Sequence, residues 1–188
     1  IGLKDFIIFD LGGASTEVTL VRDRHITEVI SLPIGALTLT GTYQKGEEYT
    51  PKELEKMTKA VRNVIKEHTW LRNVKLPLLG IGGTARNIAK MDQRKLSYPI
   101  TKLHNYEISY HRFHEIFEDV KGKSLEERKK ISGLSSERAD IIIAGLTIVE
   151  ELFNYVNTKT LVVGGCGLRE GLFYDYYGTH YLGGNPII

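Results

Sequence analysis

The sequence predicts a mixed α/β domain in which helices cover both faces of a five-stranded sheet. Short apolar runs of strand length alternate with longer segments whose apolar residues recur at helical spacing. Glycine-rich turns follow three of the predicted strands, and ligands bind at the carboxyl ends of strands in open α/β sheets. The predicted order is βββαβα, an insert, then αβα, in a single domain over residues 1–188.

Five apolar runs are predicted to form the strands. They are residues 5–10, 17–22, 26–33, 77–81 and 160–163. The polar pair Asp23-Arg24 suits a hairpin between the second and third strands. Strands that alternate with helices form sheets covered on both faces, so a mixed sheet is expected.

Helix signals separate these strands. Thr50-Pro51-Lys52-Glu53 is a capping box with proline at the first helical position, and its helix is predicted to end near His68. Ser136 is predicted to cap a long helix over 137–155 with an apolar, deeply buried middle. The other predicted helices are 85–91, 110–120, 125–130 and 168–177. Residues 92–134 are less regular, and we interpret them as a helical insert within the domain.

Composition limits the classes of function. With 41% hydrophobic residues and a net charge of +2, the chain favours neither a nucleic-acid partner nor a membrane surface. No apolar run approaches the roughly 20 residues of a membrane-spanning helix. The single cysteine, Cys166, excludes an internal disulfide and fits a reducing cytosol, so a cytoplasmic location is expected. A core-type strand begins within a few residues of Ile1, without an initiator Met, and we expect a fragment of a longer protein.

The turn between the first two strands carries the densest chemical signal. It is Asp10-Leu-Gly-Gly-Ala-Ser-Thr-Glu17, and its glycines and hydroxyl residues are Gly12, Gly13, Ser15 and Thr16. Glycines let backbone N–H groups approach an anion, and hydroxyls add donors. Asp10 and Glu17 supply the hard oxygen ligands that Mg²⁺ prefers. The pattern favours phosphoryl chemistry, and a plain hairpin with a polar turn is the alternative.

Two further glycine-rich turns are candidates for the same site. Gly82, Gly83 and Thr84 begin a helix directly after a strand, which suits either an anion at the helix N-terminus or tight packing alone. The run from Gly164 to Gly171 repeats the design. There the backbone N–H of Gly165 is a candidate hydrogen-bond donor to phosphate. Arg169 is suited to a bidentate phosphate contact or to a structural ion pair.

Other polar residues give weaker signals. Arg138 and Asp140 flank the start of the long predicted helix, where they either point into the same edge or form a solvated helix end. His111 and His114 are three residues apart, but no third metal ligand is evident. We interpret Cys166 as incidental, because no signal of a catalytic cysteine accompanies it.

Taken in order, these motifs resemble the exopolyphosphatase and guanosine pentaphosphate phosphohydrolase family. The motifs are Asp10–Glu17, Ser31-Leu-Pro-Ile-Gly-Ala36, Gly80–Ala85, Glu137-Arg-Ala-Asp140 and Gly164–Gly171. The family belongs to the actin-like, sugar-kinase and Hsp70 ATPase superfamily. The resemblance implies that each of its two lobes has a ribonuclease-H-like βββαβαβα core.

The resemblance implies a two-lobe phosphohydrolase with its site in the cleft between lobes. This chain is similar to the second lobe. The first lobe, with an earlier phosphate loop and a glutamate that positions the attacking water, is missing here, so the chain alone is expected to be inactive. Asp10 would help to bind Mg²⁺, and Glu17 would be a metal-linked or water-activating carboxylate, which makes both catalytic candidates. The substrate would be inorganic polyphosphate, guanosine pentaphosphate or both.

The sequence departs from the family pattern at four positions and leaves other functions open. Many members have glycine at Ala14, arginine at Thr38, proline at Ile143, and glycine or serine at Cys166. The change at Thr38 is expected to weaken anion binding. The alternative functions are an actin-like or Hsp70-like nucleotide-binding module and a non-catalytic alarmone-binding regulator. Whether the protein forms a homodimer is also left open.

Overall fold

The computed structural model describes residues 2–46, 48–96 and 102–181, and six strands form one mixed sheet in the order β3-β2-β1-β4-β6-β5. The strands are β1 Phe6–Leu11, β2 Thr16–Arg22, β3 His25–Leu32, β4 Leu78–Ile81, β5 Tyr106–Ser109 and β6 Thr160–Val163. The helices are α1 Ala36–Tyr43, α2 Pro51–Lys66, α3 Gly82–Lys95, α4 Tyr110–Lys121, α5 Leu125–Arg128, α6 Ile142–Val156 and α7 Leu168–Tyr181. The predicted α/β class and mixed sheet are confirmed.

The direction of the central strands decides where the glycine-rich turns lie. β1 pairs antiparallel with β2 and parallel with β4, and β4 pairs parallel with β6. The carboxyl ends of β1, β4 and β6 therefore lie along one edge of the sheet. Each of these three strands is followed by one of the predicted turns.

The predicted count of five strands was wrong. β5 is a sixth strand, antiparallel to β6, and it lies in the segment interpreted as a helical insert. It is four residues long, Ile108 is its only buried residue, and α4 begins directly after it. A strand this short has too few alternating residues to give a clear period of two.

The start of the long helix also differs from the prediction. Ser136 does not cap it: Ser136–Arg138 form a 3₁₀ turn, and α6 begins at Ile142. Most of α6 is buried against α1, α2 and other helices. The apolar middle of α6 therefore lies in the core, as predicted. The 3₁₀ turn before α6 is not part of the helix, and it places Arg138 toward the sheet edge.

Capping explains the other helix limits. At α2 the predicted capping box forms, with the Glu53 backbone N–H donating to Thr50 Oγ1 and the Thr50 N–H donating to Glu53 Oε2 at 2.7 Å. At α3 the helix begins at Gly82, three residues before the predicted start, and Ile81 provides no side-chain cap. Among the described residues no helix is both long enough and apolar enough to cross a membrane.

Candidate functional site

The three glycine-rich turns lie together at one edge of the sheet, as the strand order predicts. Asp10, at the end of β1, is opposite Glu17 on β2 and beside Ile81 at the end of β4. The backbone N–H after β6, at Gly164, donates to the carbonyl of Gly80 at 2.8 Å. The expectation that the turns share one edge is confirmed.

The first turn is held by the N-terminus of α1. The N–H groups of residues 36–38 donate to the carbonyls of Gly12 and Gly13 at 2.9–3.0 Å. Since these carbonyls point at α1, the N–H groups of Gly13, Ala14 and Ser15 are left without an acceptor in the described part of the chain. A run of unpaired N–H groups is the arrangement that binds anions.

Close packing behind this turn fixes its shape. A Cβ on Gly35 would lie 2.4 Å from the carbonyl carbon and oxygen of Gly13, so only glycine allows the approach. The Thr16 side chain is fully buried and its hydroxyl donates to the Ile34 carbonyl at 2.7 Å. This position corrects the predicted role of Thr16: its hydroxyl supports the turn from the core side and is unavailable to a phosphate.

Glu17 is held as a carboxylate by two hydroxyl groups. Its Oε1 accepts hydrogen bonds from Ser15 Oγ and from Ser31 Oγ, both at 2.7 Å. Hydrogen bonds to the charged form hold the pKa of Glu17 below its usual value. The hydroxyl of Ser15, predicted to contact phosphate, is therefore engaged with Glu17, while Glu17 Oε2 has no side-chain partner in the described residues.

Asp10 has the opposite electrostatic environment. Burial and then the neighbouring charge of Glu17 raise its pKa, and the guanidinium of Arg86 opposes this shift. The two facing carboxyls are thus pushed apart in pKa, a pattern typical of functional sites.

The donor set at this edge fits Mg²⁺. Within the described residues no three His, Cys, Asp or Glu side chains cluster as a complete metal site. Mg²⁺ does not need one, because it is usually held by one or two carboxylates together with water and phosphate oxygens. Asp10 and Glu17, which face each other beside the first turn, are two carboxylates that could hold the ion in this way.

At the second turn, the start of α3 meets an arginine. Gly82 has a positive φ of 83°, and a Cβ there would lie 2.7 Å from Asp10 Oδ1. A Cβ on Gly83 would lie 2.2 Å from Arg138 Cζ, so the guanidinium rests directly on this glycine. The Arg138 guanidinium makes no hydrogen bond or ion pair with the described residues, and the only hydrogen bond of Arg138 among them comes from its backbone N–H. Uncapped first-turn N–H groups and a free guanidinium therefore lie side by side.

Thr84, which was predicted to bind phosphate, points elsewhere. It is 2% exposed, and a Cβ on Gly145 of α6 would lie 3.0 Å from its Cγ2. The Thr84 side chain therefore packs between α3 and α6. The prediction that its hydroxyl contacts phosphate is corrected.

The third turn is occupied by contacts within the protein. The Gly165 N–H donates to His104 Nδ1 at 3.1 Å, and the Gly165 carbonyl accepts from Arg86 Nη2 at 2.9 Å. The N–H group that was predicted to bind phosphate is thus already paired. Arg169 is exposed and lines a cavity of about 360 Å³ with Glu170, Phe173 and Tyr174.

Sequence reasoning missed two residues that the structure brings into the site. Arg86 lies between the second and third turns and acts on the charge of Asp10. Ser31 is opposite Glu17 on β3, a register that follows only once the two strands are paired. Arg86 follows directly after the Gly-Gly-Thr-Ala turn, and this closeness was the available signal for it.

Known proteins resemble this chain in sequence. Residues 3–180 match the model of the Ppx/GppA phosphatase family. A bifunctional 3-dehydroquinate synthase/phosphatase of Fusobacterium nucleatum is 26% identical over 162 residues, which are 85% of this chain and 24% of that protein.

Two solved structures have the same fold. The Aquifex aeolicus PPX-GPPA enzyme is 28% identical with a TM-score of 0.80, over 90% of this chain and 56% of that one. An exopolyphosphatase from Cytophaga hutchinsonii is 21% identical with a TM-score of 0.85, over 95% of this chain and 59% of that one. The chain thus spans little more than half the length of these structures. Because the family model covers nearly the whole chain, this protein belongs to the Ppx/GppA phosphatase family.

Proposed function

We propose that the native full-length protein is a Mg²⁺-dependent hydrolase that releases terminal phosphate from inorganic polyphosphate, with guanosine pentaphosphate as a second substrate. One observation carries the proposal: unpaired backbone N–H groups of the first turn and of the α3 start share an edge with Asp10 and Glu17. Membership of the phosphatase family supports it.

The chain's own groups would each serve one part of phosphoryl transfer. N–H groups of Gly13, Ala14 and Ser15, together with the Arg138 guanidinium, would bind phosphate oxygens and stabilise their charge. Glu17 is kept ionised by Ser15 and Ser31, so it is suited to accept a proton from an attacking water or to bind a metal. Water would form a new bond to the terminal phosphorus while the anhydride P–O bond breaks, which leaves a polyphosphate shorter by one unit.

Asp10 and Glu17 would hold Mg²⁺, and the ion would neutralise charge on the phosphate oxygens. This chain covers only 56% and 59% of the two solved structures. We therefore place the other half of the cleft in an additional lobe, and this chain alone would hydrolyse little or nothing.

The test is phosphate release by the full-length protein from polyphosphate and from guanosine pentaphosphate, with Mg²⁺ and with a chelator. We expect release with Mg²⁺ and its loss in Glu17→Gln. Glu28→Gln, an exposed carboxylate on the neighbouring strand β3, is the matched control and should retain activity. Absence of release from both substrates, or equal rates in the two variants, would overturn the proposal.

A further inference from the structure

A buried asparagine links the start of α3 to the turn that carries Arg138. Asn87 is 5% exposed, and its Nδ2 donates to the Gly83 carbonyl at 2.8 Å. Its Oδ1 accepts from the backbone N–H of Ser135 at 2.8 Å. A carbonyl can only accept and an N–H can only donate, so the amide has one orientation that satisfies both partners.

These contacts close a ring around the site. Ser135 precedes the 3₁₀ turn Ser136–Arg138, and its own side chain makes no capping bond. The backbone N–H of Arg138 donates to the Ser135 carbonyl at 2.9 Å. The Arg138 guanidinium then returns to rest on Gly83, the residue whose carbonyl Asn87 holds. Asn87 is thus the side chain that fixes the distance between the α3 start and the Arg138 turn.

We propose that Asn87 is a positioning residue that holds the Arg138 guanidinium at the N-terminus of α3, and so sets the affinity of this edge for phosphate oxygens. The inference rests on the proposed phosphate-binding function of the edge. The Arg138 guanidinium has no hydrogen-bond or ion-pair partner in the described residues, so its position depends on its own turn and on that turn's anchor. A long, flexible cation contributes most to binding when its position is already fixed before the ligand arrives.

The test is tripolyphosphate binding by the full-length protein, measured by calorimetry in a double-mutant cycle. The variants are Asn87→Ala, Arg138→Ala and the two combined. Asn87→Ala removes both anchoring hydrogen bonds and should weaken binding by at least about tenfold. If Asn87 acts through Arg138, the same change should have almost no further effect once Arg138 is alanine.

A second variant removes one of these two hydrogen bonds, the one that joins Asn87 to the Arg138 turn. Ser135→Pro deletes the backbone N–H that donates to Asn87 Oδ1. The φ of −68° at Ser135 already suits proline. It should reproduce the loss in Asn87→Ala even if that variant folds poorly. Tyr106→Phe is the matched control, since it removes a partly buried hydrogen bond, at 2.8 Å, to Asp92 on the same helix α3. It should leave tripolyphosphate affinity unchanged.

Two results would overturn the positioning role. One is unchanged affinity in folded Asn87→Ala or Ser135→Pro, and the other is an equal loss with and without Arg138. The binding readout also separates the two proposals. A protein that binds tripolyphosphate but hydrolyses no polyphosphate contradicts the proposed function alone, whereas a wild-type protein that does not bind it contradicts both.

Discussion

Replacing Gly83 with alanine should separate anion binding from stability. The added Cβ would lie 2.2 Å from Arg138 Cζ and 2.3 Å from Nη2, so the guanidinium must move by roughly 1.5 Å to reach ordinary contact. The atoms in the way are the end of a flexible, half-buried side chain, which can swing toward solvent. Gly83 lies within α3, where alanine is favoured over glycine by roughly 0.5–1 kcal/mol.

The expected free energy of unfolding is therefore unchanged or higher by up to about 1 kcal/mol. The expected affinity is lower, because a hydrogen bond from a charged group contributes about 1.5–3 kcal/mol. This corresponds to a KM for polyphosphate or a Kd for tripolyphosphate raised by about 10- to 100-fold.

The assay combines urea denaturation with tripolyphosphate calorimetry on the full-length protein. Gly171→Ala in α7 is the matched control, because a Cβ there meets nothing within 4 Å. It reports the helix preference for alanine without displacing any side chain. Unchanged affinity in Gly83→Ala would refute the argument, and so would a loss of stability of several kcal/mol.

Three other outcomes follow from the same contacts. Glu17→Gln should lower turnover by about 10²–10³-fold and leave folding nearly unchanged, because it removes one oriented charge on an exposed side chain. Near-normal turnover in this variant would exclude a catalytic role for Glu17. In metal-free protein, Ser31→Ala should raise the pKa of Glu17 toward its usual value, since one of its two side-chain hydrogen bonds is lost, and carboxyl NMR titration measures this shift. Gly35→Ala should destabilise the fold by about 1–3 kcal/mol, because its Cβ would meet the Gly13 backbone at 2.4 Å and backbone cannot swing aside; an unchanged denaturation midpoint would contradict this.

Local signals in the sequence predicted most of the elements. The capping box at Thr50 and the apolar spacing of α2 are short-range features, and they gave nearly the observed helix. Helix α1 was missed because its sequence, Ala-Leu-Thr-Leu-Thr-Gly-Thr-Tyr, is rich in residues that disfavour helices. Tertiary contacts stabilise α1 instead: it packs on α6, and its first N–H groups bind the carbonyls of the first turn.

The errors in the predicted site have two different physical causes. Thr16 and Glu17 are neighbours on a strand, so their side chains must point to opposite faces. If the Glu17 carboxylate faces the cleft, the Thr16 side chain must therefore be buried. The burial of Thr16 could have been predicted from the sequence alone. Gly165 is different, because its partner His104 is 61 residues away and only the folded chain brings the two together.

Similar glycine-rich sequences thus perform different tasks at the same sheet edge. An unpaired N–H is favourable at a binding site only if the rest of its peptide is fixed, since otherwise the turn can rotate and pair the group internally. At the first turn α1 fixes Gly12 and Gly13 by their carbonyls, and at the α3 start Asn87 does so for Gly83. At the third turn both backbone groups of Gly165 are paired within the protein, since its N–H donates to His104 and its carbonyl accepts from Arg86. We therefore expect anion binding at this edge to depend on which N–H groups are left unpaired within the protein, and glycine content alone does not determine it.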